Sequence, residues 1–239
     1  MTVLVVTPTY NERENLPRLA ALLLEQANTR VLVVDDGSPD GTGRLADELA
    51  AGSNGRLEVM HRTGPRGLGR SYVDGLRHAL QTGADVICQM DCDLSHDPKY
   101  LPSMVAALDR HDMVIGSRYL GGINVVNWPL HRIMLSAFAN RYIRAITGLQ
   151  ARDCTSGYRA WRREALARVP FHHAEAGGYA FLTEMLYDAA RLGCRIGEVP
   201  IVFVERQEGY SKLSSGVLME SLLTPWRLVA RGGRVKQRR

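Results

Sequence analysis

Asp91-Cys92-Asp93 sets two carboxylates on either side of one small residue, directly after an apolar run that ends at Met90. Where a chain leaves a buried strand and turns, such a pair can share a hard divalent cation, Mg²⁺ or Mn²⁺, which then bridges to diphosphate oxygens. The chemistry on offer is neutralisation of the charge that builds on a nucleoside diphosphate as it leaves. An isolated Asp-x-Asp arises by chance in many loops, and its position after a strand is what favours the metal reading. His96, further along, reads either as a general base or, more simply, as a loop histidine that orders the Asp97-Pro98 turn.

Two other polar runs also follow apolar ones: Pro8-Thr9-Tyr10-Asn11-Glu12 and Val34-Asp35-Asp36-Gly37-Ser38-Pro39-Asp40-Gly41-Thr42. In a doubly wound sheet the carboxyl ends of the strands open on the ligand crevice. There Glu12 can bind ribose hydroxyls, Tyr10 can pack on a base, and Asp36 can accept from a base N–H. Each is weak alone, since Ser-Pro-Asp-Gly also makes a turn and Asp40 can cap the next helix. Neither a Walker phosphate loop nor a G-x-G-x-x-G follows the first strand, which removes support for ordinary ATPase and dinucleotide readings.

The cations come later. Gly116-Ser117-Arg118-Tyr119 and Asp153-Cys154-Thr155-Ser156-Gly157-Tyr158-Arg159 precede a loop in which Arg206 and Lys212 flank Gly209 and can close over a diphosphate. Arg132 and Ser136 are four apart, so on a helix they share a face and can hold another phosphate together. An isolated arginine is ordinarily solvated surface, so these matter only if several converge.

Positioning such groups requires strands that end together. Apolar runs at Val3–Thr7, Arg30–Asp35, Leu57–His61, Asp85–Met90 and Asp112–Ser117 alternate with helical patterns near Asn15–Gln26, Thr42–Ala51, Gly69–Thr82 and Pro102–Arg110. That rhythm predicts βαβ units, a five-strand set in a mostly parallel sheet, and one α/β domain over residues 1–239. Pro129–Thr147, with Ile133, Ala137, Tyr142, Ile143 and Ile146 among Arg132, Arg141 and Arg144, reads as a basic amphipathic helix, and Leu213–Val229 repeats the mixture. Either alone is explained by packing on the core. Two of them beside a basic tail over about 230–239 point to membrane contact.

The 45% apolar and 23% charged composition is that of a globular domain. No stretch reaches the roughly 18 apolar residues of a spanning helix, and the N-terminus lacks the marks of a signal peptide. Cys88, Cys92, Cys154 and Cys194 form neither a CxxC pair nor a zinc pattern, which suits a reducing cytosol. Net charge is +5, and Arg227 to the end holds six cations and no acid. That charge suits nucleic acid or an anionic membrane surface equally, but no RRM, KH or helix-turn-helix signature accompanies it.

Taken in order, these motifs, with Gly178-Tyr179-Ala180-Phe181, Glu184-Met185-Leu186-Tyr187 and Gly209-Tyr210-Ser211-Lys212, resemble the polyprenol/dolichol-phosphate mannosyltransferases of glycosyltransferase family 2. The likeness runs through nearly the whole chain. It implies a GT-A fold, Rossmann-like with a mostly parallel sheet flanked by helices. It also implies inverting transfer of mannose from GDP-mannose to a polyprenyl or dolichyl phosphate, giving a mannolipid for glycan or protein mannosylation. By the same resemblance Pro8, Tyr10, Glu12, Val34 and Asp36 contact the guanosine, while Asp91, Cys92 and Asp93 lie by the diphosphate. Asp93 is then the main metal ligand, with Asp91 its neighbour. Arg206 and Lys212 clamp the diphosphate, and Arg118, Arg132 and Ser136 receive the lipid phosphate; Asp91, Asp93 and Arg118 are the catalytic set.

The chain departs from the family pattern in three places. Cys92 stands where alanine is common. Ser95 stands where some members use glutamine as a further metal ligand, so either Ser95 or water completes that position. Arg66 replaces a frequent lysine. Without a spanning helix, the resemblance implies a cytoplasmic enzyme held peripherally on the membrane's cytoplasmic face by its own amphipathic surface or by a membrane-protein partner. A polyprenyl-phosphate glucose or aminosugar synthase using a UDP-sugar is the alternative.

Overall fold

The computed structural model describes residues 1–171, 179–205 and 215–235. β1 (Val3–Thr9) and β2 (Thr29–Asp35) are buried along almost their whole length, as parallel strands covered on both faces must be. They pair from Val3 beside Thr29 to Thr9 beside Asp35. β3 (Leu57–His61) lies outside β2, and β4 (Val86–Gln89) lies on the far side of β1.

Alternate strand residues point to opposite faces, which makes two cores. Val3, Val5, Val31 and Val33 pack with α1 (Leu16–Leu24), with Ala46 of α2 (Thr42–Ala51) and with α4 (Leu101–Ala107). On the other face Leu4, Val6, Leu32 and Val34 pack with α3 (Leu68–Ala79). The same core takes in Ile143 of α5 (Leu130–Thr147), Leu166 of α6 (Arg163–Arg168), α7 (Tyr179–Arg191) and Leu228 of α8 (Ser215–Gly232). α3 sits so close to the sheet that a Cβ on Gly75 would stand 2.6 Å from Val6 Cγ1 and 2.8 Å from Val34 Cγ2. Only glycine leaves that helix where it is.

The sequence pattern leads to five strands; among the described residues the main sheet has seven, in the order β3-β2-β1-β4-β7-β5-β8. β5 (Met113–Ser117) is one of the expected five, and β8 (Ile196–Pro200) adds to it in parallel at the edge. β7 (Arg159–Arg162) runs antiparallel between β4 and β5. It escapes a search for apolar runs because it is four residues long and begins with a buried arginine. β6 (Val125–Val126) and β9 (Phe203–Val204) pair in parallel as a separate ribbon.

The expected helices form with ends shifted by a few residues. A 3₁₀ turn at Pro98–Tyr100 leads into α4, and the Asp97 side chain caps it by accepting from the Lys99 N–H at 2.9 Å. Asp97, not His96, orders that turn.

Among the described residues no helix is long and apolar enough to cross a membrane. The amphipathic reading of α5 needs a correction: Ile143 faces the core, while the first half of the helix exposes a different set, Leu130, Met134, Leu135 and Phe138. Leu222, Leu223 and Trp226 of α8 are exposed too. The two helices are joined there, since Trp226 Nε1–H donates to the Tyr142 hydroxyl (2.8 Å), which donates to the Leu222 carbonyl (3.0 Å).

Candidate active site

The carboxyl ends of β1, β2 and β4 meet where the strand order reverses, the place where an α/β sheet opens a crevice. After β1 the chain turns through Asn11 at φ +60°, a conformation asparagine tolerates. Tyr10 meets Arg66 there: the guanidinium lies 4.7 Å from the ring centre and donates to the phenol oxygen (2.7 Å) and to the Gly37 carbonyl (3.2 Å). Glu12 is oriented by Asn15, which donates to its Oε2 at 2.8 Å. Pro8 and Val34 are neighbours in the β1–β2 register with buried side chains, so each can offer a ligand only its backbone.

Asp36 is more constrained than its loop suggests. Arg62, itself donating from Nε to Asp74 at 2.8 Å, holds Oδ1, and the Gly67 N–H donates to Oδ2 at 2.8 Å. Both oxygens keep further lone pairs. Asp40 accepts from the N–H of Thr42 at 2.9 Å and so shapes the turn into α2, as its capping reading requires.

After β4, Asp91 and Asp93 both remain partly exposed, while Cys92 between them is buried in the core. Burial, then the nearby Glu12 charge, pushes the Cys92 thiol well above its ordinary range. Leu94 takes φ +59°, a left-handed conformation costly for a side-chain-bearing residue, and this bends the loop directly after the pair. Ser95 is buried and donates to Asp93 Oδ1 from its N–H (3.1 Å) and its hydroxyl (2.5 Å). As placed, it orients Asp93.

His96 is also buried, between Tyr158 (ring centres 5.3 Å apart) and Phe203 (5.6 Å). Its Nδ1 lies 3.2 Å from the Asp91 backbone nitrogen and accepts that N–H. An imidazole accepting at Nδ1 carries its proton on Nε2 and has no lone pair left for a substrate. The base reading of His96 therefore loses to a structural one.

The Ser156-Gly157-Tyr158-Arg159 run braces this loop. A Cβ on Gly157 would lie 3.3 Å from Asp91 Oδ2 and 3.4 Å from His96 Cε1. Arg159 is wholly buried and donates to the carbonyls of Cys154, Ser156 and Leu182 (3.1, 2.9 and 2.6 Å), which ties α7 to the loop. Burial pulls its guanidinium down to about 10, still a cation at neutral pH.

Three of the remaining candidates come together around an aromatic cluster that the spacing did not reveal. Arg118 is buried, with Nε and Nη2 donating to the two oxygens of Asp153, each at 2.7 Å, and Nη2 also to the Thr155 hydroxyl at 2.7 Å. Its guanidinium lies 5.6 Å from the Trp128 and Phe203 ring centres, and Arg132 stacks on Trp128 at 4.3 Å. Arg132 also pairs with Glu205. Ser136 accepts from the Tyr119 hydroxyl at 2.6 Å. Asn140 joins α5 to the Asp153 loop, accepting from the Cys154 N–H at 2.7 Å and donating to the Ser136 carbonyl at 3.0 Å. Through Phe203 the cluster reaches His96 and so the Asp91 turn. Arg206 and Lys212 lie outside the described residues.

A family model described as glycosyl transferase family 2 matches residues 4–169. The chain is 46% identical over 234 residues to an undecaprenyl-phosphate mannosyltransferase of Micrococcus luteus, covering 97% of this chain and 96% of that protein. It is 45% identical over 221 residues to a polyprenol monophosphomannose synthase of Mycolicibacterium smegmatis, covering 92% and 83%. Among solved structures it resembles glucosyl-3-phosphoglycerate synthase from Mycobacterium tuberculosis in complex with Mn²⁺, UDP and glucosyl-3-phosphoglycerate, at TM-score 0.67 and 20% identity over 99% of this chain and 81% of that one. It also resembles a mannosyltransferase from Pyrobaculum calidifontis in complex with GDP-Man and Mn²⁺, at TM-score 0.57 and 20% identity over 99% and 76%. At such identities these two likenesses concern the fold alone. The matched stretch takes in β1, β2 and β4 with the Asp91 turn, and relatives sharing almost half their residues run nearly end to end with it: the chain belongs to glycosyl transferase family 2.

Proposed function

We propose that the protein transfers mannose from GDP-mannose to the phosphate of a polyprenyl lipid, inverting the anomeric carbon, at the cytoplasmic face of a membrane. The observation that carries this reading is the 45–46% identity, over nearly the whole chain, to two proteins named for polyprenyl-phosphate mannose synthesis. Tyr10, Glu12, Asp36 and the backbone at Pro8 and Val34 take the guanosine. Asp91, Asp93 and the backbone of Cys92 lie beside the diphosphate, which Arg206 and Lys212 clamp.

The donors at the Asp91 turn suit a hard divalent cation. Two partly exposed carboxylates are offered with the sulfur between them buried, and no cluster of three His, Cys, Asp or Glu occurs among the described residues. A magnesium-like ion is held in that way, by one or two carboxylates, with water and substrate phosphate completing its shell. Asp93, oriented by Ser95, and Asp91 would hold it. When bound, it neutralises charge on the departing GDP.

A lipid phosphate oxygen attacks the anomeric carbon from the face opposite GDP; the new C–O bond forms as the bond to the diphosphate breaks. A phosphate monoester, with a second pKa of about 6, is largely ionised near neutrality, so no protein base is needed. That agrees with an His96 whose Nδ1 is engaged. Arg118, Arg132 and Ser136 receive this phosphate: Arg132 exchanges Glu205 for it, while Arg118 is held in place by Asp153 beside Trp128 and Phe203. Positioning two mutually repelling phosphates is the main catalytic work. The exposed apolar residues of α5 and α8 rest on the membrane, with the cations from Arg227 onward attracted to anionic headgroups.

Asp93→Ala tests the site. Metal-dependent mannolipid formation should be abolished in a protein that still melts like wild type, and retained transfer would remove Asp93 from the metal site.

A further inference from the structure

Asp91 is held from three sides by groups outside the Asp-x-Asp run. The Tyr72 hydroxyl donates to Oδ1 at 2.7 Å. The Asp91 N–H is anchored on His96, and Gly157 closes the third side, where a Cβ would lie 3.3 Å from Oδ2 and 3.5 Å from Oδ1. The two carboxylate oxygens are therefore unlike. Oδ1 has a buried phenol, whereas among the described residues none donates a hydrogen bond to Oδ2, whose nearest ring nitrogen, His96 Nδ1, is 3.9 Å away. The side chain is 35% exposed, so it borders the crevice.

Tyr72 itself has little freedom. It is wholly buried, and its ring lies nearly parallel to that of Phe181, with centres 6.3 Å apart and planes at 12°. The helix that carries it is locked onto β1 and β2 at Gly75, and the Gly67 N–H at its start donates to Asp36. α3 thus spans two site carboxylates, at the ends of β2 and β4.

We propose that Tyr72 is a positioning residue of the transfer reaction: by engaging Oδ1 it fixes the rotation of the Asp91 carboxylate and leaves Oδ2 as the oxygen turned toward the cation and diphosphate. The inference rests on Asp91 lying beside a metal-bound diphosphate. The terminal torsion of an aspartate is broad and two-fold, so without a fixed partner its oxygens exchange roles readily. Partners of this outer kind typically change metal affinity or activity about 10–100-fold when removed.

Tyr72→Phe deletes one hydroxyl while keeping the ring, its stacking and the core. With the full-length protein and GDP present, Mn²⁺ binding is titrated by the EPR signal of the free ion, beside a melting curve and mannose-transfer kinetics. The variant should melt within about 3 °C of wild type, roughly a 1 kcal/mol change or less. It should bind Mn²⁺ about tenfold or more weakly and lose a similar factor in kcat, with the KM for lipid phosphate unchanged. A variant whose Mn²⁺ affinity and kcat stay within about twofold of wild type overturns the proposal, whatever its melting temperature. Wild-type protein that neither binds Mn²⁺ with GDP nor transfers mannose overturns the site assignment and this inference with it; a deficit confined to the variant upholds both.

Discussion

Replacing Asp153 with asparagine keeps the side chain's shape and removes its charge, leaving Arg118 in a pocket built for an ion pair. The pair is buried, with side-chain exposures of 7% for Arg118 and 0% for Asp153. Asp153 accepts from the Arg118 backbone N–H at 3.0 Å in addition to its two 2.7 Å guanidinium contacts. Removing one partner of such a pair costs about 3–5 kcal/mol, because the remaining charge is buried uncompensated. For a chain of 239 residues, at about 2–4 °C per kcal/mol, the melting temperature should fall by roughly 6–20 °C. The acid side offers a second check. Burial would raise the Asp153 carboxyl, but the Arg118 charge and the donors from Arg118 and Thr155 outweigh it and hold it below its ordinary value. A depressed carboxyl contributes stability that is complete above the unfolded value, near 3.9, and is lost as pH falls through the lower folded value. Urea unfolding of wild type and Asp153→Asn from pH 7 downward should therefore show a gap that is constant to about pH 5 and closes only below about pH 4. A gap under about 1 kcal/mol at pH 7 would refute the buried-pair account and release Arg118 as an ordinary surface cation.

Three further variants separate the roles of the remaining groups. Gly157→Ala sets a methyl 3.3 Å from Asp91 Oδ2 and 3.4 Å from His96 Cε1, so the turn must give by a few tenths of an ångström and kcat should fall several-fold, short of the roughly 100-fold that a full ångström costs; unchanged kcat would mean that the Asp91 turn yields freely. His96→Asn offers an amide oxygen in place of Nδ1 as acceptor for the Asp91 N–H, so most activity and the wild-type pH–rate profile should survive, whereas near-complete loss would restore a base. Phe138 and Trp226 are 60% and 58% exposed, so changing both to serine should lower the melting temperature by no more than about 2–6 °C, for the one exposed hydrogen bond from Trp226 to Tyr142, but weaken retention on anionic vesicles about tenfold or more, given about 1.5–3 kcal/mol for each large apolar side chain fully buried. Equal retention would point the membrane contact elsewhere.

What could be read from the chain beforehand was set by how local the determinants are. β1 to β5 announce themselves as apolar runs, and the Asp91-Cys92-Asp93 pair follows from sitting at the end of one. β7 does not, since a buried arginine whose charge meets three backbone carbonyls looks like surface in any hydropathy pattern. Arg118 and Arg132 could be picked out, but not their partners: Asp153 is 35 residues from Arg118, and Glu205 is 73 residues from Arg132. Trp128 just before Pro129 and the helix start was the available hint of the aromatic plate between them. Tyr72 carried no hint at all, because a tyrosine on the inner face of a helix reads as core, and its hydroxyl has meaning only once α3 is laid across β4. Asp36 was found as a candidate, yet the arginine that holds it lies beyond the next strand.

The central claim is tested most directly by giving the purified protein Mn²⁺ or Mg²⁺, a short polyprenyl phosphate, and either GDP-[¹⁴C]mannose or UDP-[¹⁴C]glucose, then extracting lipid. The account predicts label in the organic phase from GDP-mannose alone, dependent on the divalent ion and released by mild acid as mannose. Label arriving from UDP-glucose instead, or mannose transfer that needs no polyprenyl phosphate, would contradict it.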